Sequence, residues 1–234
     1  MQRKAFFITG TDTGVGKTII AGAVACWHRS QGRSVGVMKP AETGCRIKSG
    51  KLFPSDAAFL KRASGSKDSL EVICPYRFAE PLAPAIAARR AGKKIDVGVI
   101  KEIFGSIYSH NDISLVEGAG GIMVPLSAKY LFLDLAAELK LPLIIVGRAG
   151  LGTINHTVLT YNAAKARGLK ISAIILNQSR KGPSGAAEET NARVIRKILG
   201  FERVYSTPFV PGAKRNGVLL QPLATLLNSS GFLS

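Results

Sequence analysis

The stretch FFITGTDTGVGKTIIAGAV, residues 6–24, runs from an apolar segment through a glycine- and threonine-rich turn into a second apolar segment. A strand that leads into such a turn and then a helix leaves several backbone N–H groups directed at one point, where the helix dipole adds positive charge. Lys17 supplies a full charge there, and the hydroxyl of Thr18, in the first helical turn, is a suitable ligand for Mg²⁺. The stretch therefore predicts a phosphate-binding loop between a strand and a helix.

The loop departs from the strict pattern G-x-x-x-x-G-K-[ST]. Counting back from Gly16, the first position of the pattern is Thr11, and Gly10 lies one residue too early. The turn therefore contains Thr11, Asp12 and Thr13 where an ordinary loop has conformationally free residues. We expect these hydroxyl and carboxylate groups to lie near the transferred phosphoryl group.

Apolar runs that alternate with helical patterns indicate the fold. The runs are typical of buried strands and lie at residues 5–9, 34–38, 113–117, 143–146 and 172–176. Helical spacing occurs at residues 17–31, 131–139, 153–168 and 186–198. Strands that are apolar throughout and separated by helices are typical of a parallel sheet covered on both faces.

We therefore predict an α/β fold over residues 1–234 as a single domain. The sheet should be doubly wound and mostly parallel, with helices on both faces, in the Rossmann-like three-layer arrangement of P-loop NTPases. Residues 40–112 should form a long excursion over the carboxyl ends of the strands.

Composition restricts the class of protein. No uncharged apolar run approaches the roughly 18 residues needed to span a bilayer, and Gly10 comes too early for a secretory segment, so we expect a cytoplasmic protein that does not enter a membrane. The 3 cysteines form no CxxC pair, which predicts reduced thiols rather than disulfides or a zinc site. The net charge of +17 would attract nucleotides, carboxylates or nucleic acid, but the basic residues are scattered, which favours a solvated basic surface.

Charged residues follow two of the predicted strands. Lys39 comes directly after the run at 34–38, and Glu117 ends the run at 113–117 and is followed by GAGG. Ligands of open α/β sheets bind beyond the carboxyl ends of the strands, so both residues are candidates for a phosphate and Mg²⁺ site. Taken alone, Lys39 could be a surface lysine and Glu117 could cap a neighbouring helix.

Two further segments begin helices. Asp56, in PSDAAFL, is favoured by its position as a helix-capping aspartate. The segment GLGTINH, residues 150–156, opens a helix after a strand and is a second candidate anion site.

Seven blocks, in order, make the chain similar to the dethiobiotin synthetases. These are ATP-dependent cyclo-ligases of biotin synthesis, among the P-loop ATPases with deviant phosphate loops. The blocks are GTDTGVGKT (10–18), KPAETG (39–44), SDA (55–57), PYRFAEPLAP (75–84), VEGAGGIMVPL (116–126), LGTINHTVLT (151–160) and ILNQ (175–178). The first, second and fifth are specific when they occur together.

The resemblance implies a reaction. One amine of 7,8-diaminononanoate (7,8-diaminopelargonate) takes up CO₂ as a carbamate, and a carbamate oxygen attacks the γ-phosphate of ATP. The second amine closes the resulting mixed anhydride to a cyclic urea, and ADP and phosphate are released. The resemblance also implies a homodimer, because the substrate carboxylate is bound across a subunit boundary.

The same resemblance assigns roles to residues of this chain. Catalytic roles fall to Lys17, Lys39 and Thr13, and Mg²⁺ ligation to Thr18, Asp56 and Glu117, which replaces the capping role of Asp56. Substrate contacts fall to Thr43, Thr153, Ile154 and Asn155, the last three at a helix start. The residues implied to bind ATP are Gly14, Val15, Gly16, Lys17, Thr18, Ile19, Asp56, Glu117, Gly118, Ala119, Gly120, Asn177, Gln178, Pro208, Phe209 and Val210.

Two positions depart from the family pattern. Gly14 stands where some members carry Glu, and the segment APA (83–85) stands where SPH is frequent, which removes a histidine. Both affect substrate positioning rather than the reaction class.

Two other functions share the phosphate loop. Chromosome-partitioning ATPases bind DNA non-specifically through basic residues, but they usually carry an extra lysine near the start of the loop, where this chain reads ITGTDT. Cobyrinate-type amide synthetases need a glutaminase domain, for which 234 residues leave little room. We therefore predict small-molecule partners and no nucleic acid.

Overall fold

The computed structural model describes residues 3–179, 185–212, 223–225 and 228. In chain order its strands are β1 (Lys4–Gly10), β2 (Val35–Met38), β3 (Ala41–Glu42), β4 (Arg46–Lys48), β5 (Lys51–Phe53), β6 (Tyr76–Arg77), β7 (Ile113–Gly121), β8 (Pro125–Ser127), β9 (Tyr130–Leu131), β10 (Leu143–Arg148), β11 (Ile171–Asn177) and β12 (Val204–Thr207). Its helices are α1 (Lys17–Ser30), α2 (Ser55–Ser64), α3 (Leu70–Ile73), α4 (Pro84–Arg90), α5 (Val97–Ser109), α6 (Phe132–Glu138), α7 (Thr153–Ala166) and α8 (Ala186–Leu199).

Six strands form the central sheet, in the order β12-β11-β10-β1-β7-β2. Every neighbouring pair in this sheet is parallel, so all six carboxyl ends lie along one edge. The predicted parallel sheet is therefore confirmed. The strand β12 is an addition to the five strands that the apolar runs predict.

Alternate residues along the strands face two separate apolar cores. Phe7 of β1 packs in one core with residues of α5, α6 and α8, whereas Ile8, the next residue, packs in the other with residues of α1 and α2. Helices therefore cover both faces of the sheet, which confirms the predicted three-layer arrangement. The burial of neighbouring strand residues on opposite faces explains why the strands read as continuous apolar runs.

The excursion between β2 and β7 has its own structure. It contains two small two-stranded sheets, β3 with β6 and β4 with β5, and the helices α2 to α5. Residues 81–84 of this segment lie over the carboxyl edge of the central sheet, where they line a cleft. Helix α5, which leads back into β7, is not indicated by the helical spacing of the sequence.

Within the residues that the structure describes, no helix is both long and apolar enough to cross a bilayer.

Candidate active site

The loop between β1 and α1 has the backbone of a phosphate cradle. Gly14 (φ 75°) and Gly16 (φ 100°) adopt left-handed conformations that favour glycine, and Gly16 is the N-cap of α1. A Cβ atom on Gly16 would lie 2.1 Å from Nδ2 of Asn177. Only glycine therefore fits at position 16, where the chain turns into the helix.

Side chains of the loop hold it in place. Nζ of Lys17 donates a hydrogen bond to the carbonyl oxygen of Asp12 (3.0 Å), and the Asp12 carboxylate accepts from the backbone N–H of Thr13 (2.7 Å). The other carboxylate oxygen of Asp12 pairs with Nη2 of Arg148, at the end of β10, at 2.6 Å. Because Lys17 is buried, its pKa falls from 10.5 to about 8, although Glu117 opposes this shift.

A buried charge cluster lies beside the loop. Oε1 of Glu117 accepts hydrogen bonds from Oγ1 of Thr18 and from Nζ of Lys39, both at 2.8 Å. Oδ2 of Asp56 lies 3.6 Å from the same Lys39 nitrogen. Burial by itself would lower the pKa of Lys39, but the neighbouring carboxylates, Glu117 first among them, raise it above its ordinary value. The lysine therefore stays charged.

The cluster decides between the alternatives left open by the sequence. Lys39 is only 3% exposed, so it is not a surface lysine. The hydrogen bonds described for Glu117 run to the side chains of Thr18 and Lys39 rather than to the backbone N–H groups of a helix, so they do not make it a helix cap. Strand β7 also continues four residues beyond the predicted end at Glu117, to Gly121. Its neighbour β2 stops at Met38, which pairs with Val116, so Glu117 still faces the site beyond the end of that strand.

Helix α2 is capped by a residue that the sequence does not indicate. Its N-cap position is Pro54, and no side chain at that position caps it. Instead the buried carboxylate of Glu42, on β3, accepts hydrogen bonds from the backbone N–H groups of Asp56 and Ala57, both at 3.0 Å. The capping role that the sequence favours for Asp56 is therefore wrong, because Glu42 fills it and leaves the Asp56 carboxylate directed at Lys39.

These groups open into one cleft of about 610 Å³. Its lining combines polar and charged residues with the apolar residues of the 81–84 segment and Val124. The predicted residues that line the cleft are Thr13, Gly14, Gly16, Lys17, Thr18, Ile19, Lys39, Thr43, Asp56, Glu117, Ala119 and Gly120. A cleft with both charged and apolar lining residues suits a ligand that combines phosphate or carboxylate groups with a hydrocarbon chain.

The residues predicted to contact adenine surround a smaller adjoining pocket. It is lined by Ile19, Asn177, Gln178, Ser179, Pro208, Phe209, Val210 and Leu223. The Asn177 amide already donates to the carbonyl oxygen of Val15 (2.9 Å) and accepts from Oγ1 of Thr207 (3.0 Å). Among the residues that the structure describes, one N–H and one lone pair of that amide are not used by these two hydrogen bonds and could face a ligand, so its adenine role stays a prediction.

Two residues predicted to bind ATP line neither the cleft nor the adjoining pocket. Val15 is buried in the loop, where its carbonyl oxygen is the acceptor for Asn177. Gly118 is buried in β7, and a Cβ there would lie 3.3 Å from the Phe7 ring. Direct contact of either residue with ATP stays a prediction.

The start of α7 lies apart from the cleft. Thr153 is buried with its hydroxyl 3.3 Å from that of Thr157, whereas Ile154 is partly buried and Asn155 is exposed. The substrate role of the α7 start therefore stays a prediction, and within this chain these residues do not join the phosphate site.

The carboxylates of the site suit a cation that needs few protein ligands. Across residues 3–179, 185–212, 223–225 and 228, no cluster of three or more His, Cys, Asp and Glu side chains could hold a metal. Oε2 of Glu117 is nevertheless buried without a hydrogen-bond partner in the described part of the chain. Mg²⁺ commonly takes one or two protein carboxylates and completes its shell with phosphate and water oxygens, so the donors fit it.

Relatives with known names match almost the whole chain. The protein-family model described as AAA domain matches residues 4–215. The ATP-dependent dethiobiotin synthetase BioD of Anaeromyxobacter dehalogenans (strain 2CP-C) is 44% identical over 213 residues, which cover 91% of this chain and 93% of that protein. The protein of the same name from Anaeromyxobacter sp. (strain Fw109-5) is 47% identical over 199 residues, or 85% and 87% of the two chains.

Solved structures support the fold. The ATP complex of McdA from Cyanothece superimposes with a TM-score of 0.60 and covers 99% of this chain and 92% of that one. Its sequence identity is 12%, so this likeness concerns the arrangement of the sheet and helices alone.

Proposed function

The chain belongs to the family of ATP-dependent dethiobiotin synthetases, and we propose that its cleft binds the triphosphate of ATP beside a carbamate of 7,8-diaminononanoate. The enzyme is an ATP-dependent cyclo-ligase that forms dethiobiotin. The observation that carries the proposal is the buried contact of Lys39, Glu117 and Thr18 next to the phosphate loop. The partitioning-type ATPase that binds DNA is not favoured by these relatives.

The proposed reaction converts an unreactive carbamate into an acylating agent. A carbamate oxygen bonds to the γ-phosphorus of ATP as the bond to the β,γ-bridging oxygen breaks, which gives ADP and a mixed anhydride. The second amine then attacks the carbamate carbon, loses a proton, and expels phosphate as the five-membered urea closes. One carbamate oxygen therefore leaves with the phosphate.

The two lysines would act through positioning and charge. Lys17 and Lys39 both line the cleft, and each would present a cation to oxygens that gain negative charge as the phosphoryl group moves. Thr13 and Thr43 line the same cleft and would donate hydrogen bonds to phosphate or carbamate oxygens.

The adjoining pocket would hold the base of the nucleotide. Ile19 lines both the cleft and this pocket, so a triphosphate on the loop would place adenine among Asn177, Gln178 and Pro208–Val210. The remaining N–H and lone pair of Asn177 match the donor and acceptor of the adenine edge.

Mg²⁺ would be held by Thr18, Asp56 and Glu117. When bound it would neutralise the triphosphate and help to orient it. Lys39 lies between the two carboxylates in this structure, 2.8 Å from Glu117 and 3.6 Å from Asp56, and so balances their charge. The same carboxylates can therefore serve the lysine and a second cation at different positions around them.

The diamine would lie along the apolar part of the lining. Its hydrocarbon chain would contact residues 81–84. Its carboxylate would reach the start of α7 of a second copy, since Thr153, Ile154 and Asn155 do not line the cleft of their own chain. Exposed Leu151 (87%) and Leu159 (60%), on or next to α7, support a homodimer. We further propose that the 234 residues form one synthetase domain and that the enzyme works in the cytoplasm.

Phosphate release tests the proposed function. We expect ATP hydrolysis to require both the diamine and bicarbonate, with one phosphate formed for each dethiobiotin detected by mass spectrometry. Release that is unchanged when either substrate is omitted, or that instead responds to random DNA, would contradict the proposal. The matched control variant is Lys101→Ala, since Lys101 pairs with Glu138 on the surface and lies outside the cleft.

A further inference from the structure

Glu42 is a buried carboxylate in the lining of the cleft, and its hydrogen bonds run to helix α2 rather than to the lysines. It is 4% exposed. Its Oε1 accepts from the backbone N–H of Asp56 (3.0 Å) and from the hydroxyl of Ser55 (3.3 Å), and its Oε2 accepts from the N–H of Ala57 (3.0 Å). All three donors belong to the first turn of α2.

This arrangement is an unusual way to begin a helix. Most helices are capped by a Ser, Thr, Asp or Asn side chain at the N-cap position itself. Here the cap comes from β3, 14 positions before Asp56, and its carboxylate is taken out of water to serve. Burial of a carboxylate is unfavourable unless its oxygens are hydrogen-bonded, and a side chain at the N-cap position could cap the helix without such burial. The contact is therefore better explained by a role beyond capping.

The contact joins two parts of the cleft. Glu42 follows Lys39 by three residues and immediately precedes Thr43. By holding the N–H of Asp56, it fixes the start of α2 against this segment, and Oδ2 of Asp56 then lies 3.6 Å from Nζ of Lys39. Glu42 therefore holds the backbone from which the Asp56 carboxylate extends towards Lys39.

We propose that Glu42 is a positioning residue for the metal–nucleotide site, which it serves by holding the first turn of α2 so that Asp56 faces the bound cation. The inference rests on the proposed function, in which Asp56 is a Mg²⁺ ligand. Residues that orient metal ligands from behind contribute strongly to metal affinity even though they do not touch the metal. None of the three hydrogen bonds described for the Glu42 carboxylate runs to the nucleotide loop, and its negative charge acts on nearby Lys39, so its loss should weaken metal binding without weakening nucleotide binding.

The test separates metal binding from nucleotide binding. In Glu42→Gln, the side-chain NH₂ replaces one acceptor and faces a backbone N–H, so the first turn of α2 loses one of its two acceptor oxygens while the volume is conserved. Mn²⁺ binding is measured by electron paramagnetic resonance in the presence of a nonhydrolysable ATP analogue, and analogue binding is measured separately by calorimetry in EDTA. We expect Glu42→Gln to weaken Mn²⁺ by about tenfold or more and to leave the metal-free affinity within about twofold.

The matched control is Asp96→Ala. Oδ1 of Asp96 caps α5 by accepting from the N–H groups of Gly98 (2.7 Å) and Val99 (3.4 Å), and Asp96 is not in the cleft lining. This variant loses the same kind of acceptor and should bind Mn²⁺ as the wild type does. Glu42→Ala removes the anchor entirely and should match or exceed the effect of Glu42→Gln.

Two results would overturn the inference. In one, Glu42→Gln keeps wild-type Mn²⁺ affinity; in the other, its metal-free affinity for the analogue falls as much as its affinity for Mn²⁺. With either result, the proposed function would still be supported if the wild-type protein binds the analogue and Mn²⁺. A wild-type protein that binds neither would contradict the proposed function itself.

Discussion

Lys39 is a buried charge whose unfavourable desolvation is opposed by its ion pair with Glu117. It is almost fully buried, as is its partner Glu117, and the two are joined at 2.8 Å. Removing one member of a buried ion pair leaves an uncompensated charge, which costs about 3–5 kcal/mol, whereas replacing both members costs much less. The pair is therefore better explained by the chemistry of the cleft than by stability.

The buried ion pair gives a prediction on stability. Lys39→Met should lower the free energy of unfolding by about 3 kcal/mol, because it leaves Glu117 charged and buried. The double variant Lys39→Met/Glu117→Gln should recover most of the loss, as measured by urea denaturation, while neither variant makes dethiobiotin. A double variant that is no more stable than the single one would show that the pair does not behave as a buried charge pair. Lys101→Met, which breaks the exposed pair with Glu138, should change stability by under about 1 kcal/mol.

Lys17 gives a prediction on pH. Its pKa of about 8 means that the folded protein loses this proton before the unfolded chain does, at 10.5. Burial of the charged lysine lowers the free energy of unfolding, and this penalty is fully present below about pH 8. Between about pH 8 and 10.5 the penalty is progressively lost, so the free energy of unfolding of the nucleotide-free protein should rise with pH over that range. Affinity for an ATP analogue should instead fall above about pH 8, as the charge is lost.

Lys17→Arg is the control for this pH dependence, because arginine stays charged throughout the range. Its affinity for the analogue, weaker or not, should show no break near pH 8. A wild-type affinity that stays constant from about pH 7 to about pH 9.5, measured by calorimetry, would contradict the assigned role of Lys17.

At the scale of single residues, the sequence indicates the charged groups of the site better than it indicates the residues that hold them in position. Lys39, Asp56 and Glu117 can be found because they follow strands or begin a helix and because the family pattern contains them. Glu42 and Arg148 cannot, since their roles depend on contacts with residues 14 and 136 positions away in the chain. Nothing in the local spacing marks such a contact.

At the scale of elements, the phosphate loop is set by glycine conformations. Gly16 combines a left-handed φ with close approach to Asn177. Gly32, after α1, also has a left-handed φ (75°), but a Cβ added there would meet no described atom within 4 Å. A substitution at Gly32 should therefore show the effect of backbone strain alone, whereas one at Gly16 should show strain together with crowding.

Substitutions at these two glycines test the loop. Gly16→Ala should weaken binding of an ATP analogue by at least about tenfold, since the added methyl group must displace the Asn177 amide and the loop with it. Gly32→Ala should cost about 1 kcal/mol of stability from its φ alone and leave nucleotide binding unchanged. Equal losses of nucleotide affinity in the two variants would contradict the crowding argument.

Helices and strands with a regular pattern of apolar residues can be predicted from the sequence, whereas those with a mixed pattern cannot. The first helix and five of the six central strands follow from apolar periodicity. Helix α5 escapes prediction because VGVIKEIFGSIYS combines glycines with β-branched residues, which have low helix propensity, and is held by its Asp96 cap and its buried face. Strand β12 has four residues and needs β11 beside it to form.

At the scale of the whole molecule, the exposed leucines near α7 give a prediction on assembly. Leu151→Glu with Leu159→Glu should convert a dimer to monomers in sedimentation experiments and should weaken the diamine far more than the ATP analogue, because the α7 start would serve the partner's cleft. The matched control is Ile47→Glu on the β4–β5 hairpin, where Ile47 is 75% exposed, and this variant should stay dimeric. A wild type that sediments as a monomer while making dethiobiotin would contradict the shared site.

The central claim is that ATP cleavage activates a carbamate, and isotope transfer tests it most directly. Single turnovers with ¹⁸O-labelled bicarbonate, the diamine and unlabelled ATP, run without carbonic anhydrase and quenched before the label exchanges with water, should give phosphate that carries one ¹⁸O atom. The label arises because the carbamate oxygen that attacks the γ-phosphorus leaves with the phosphate when the ring closes. Phosphate that contains no label, formed together with dethiobiotin, would contradict the mechanism.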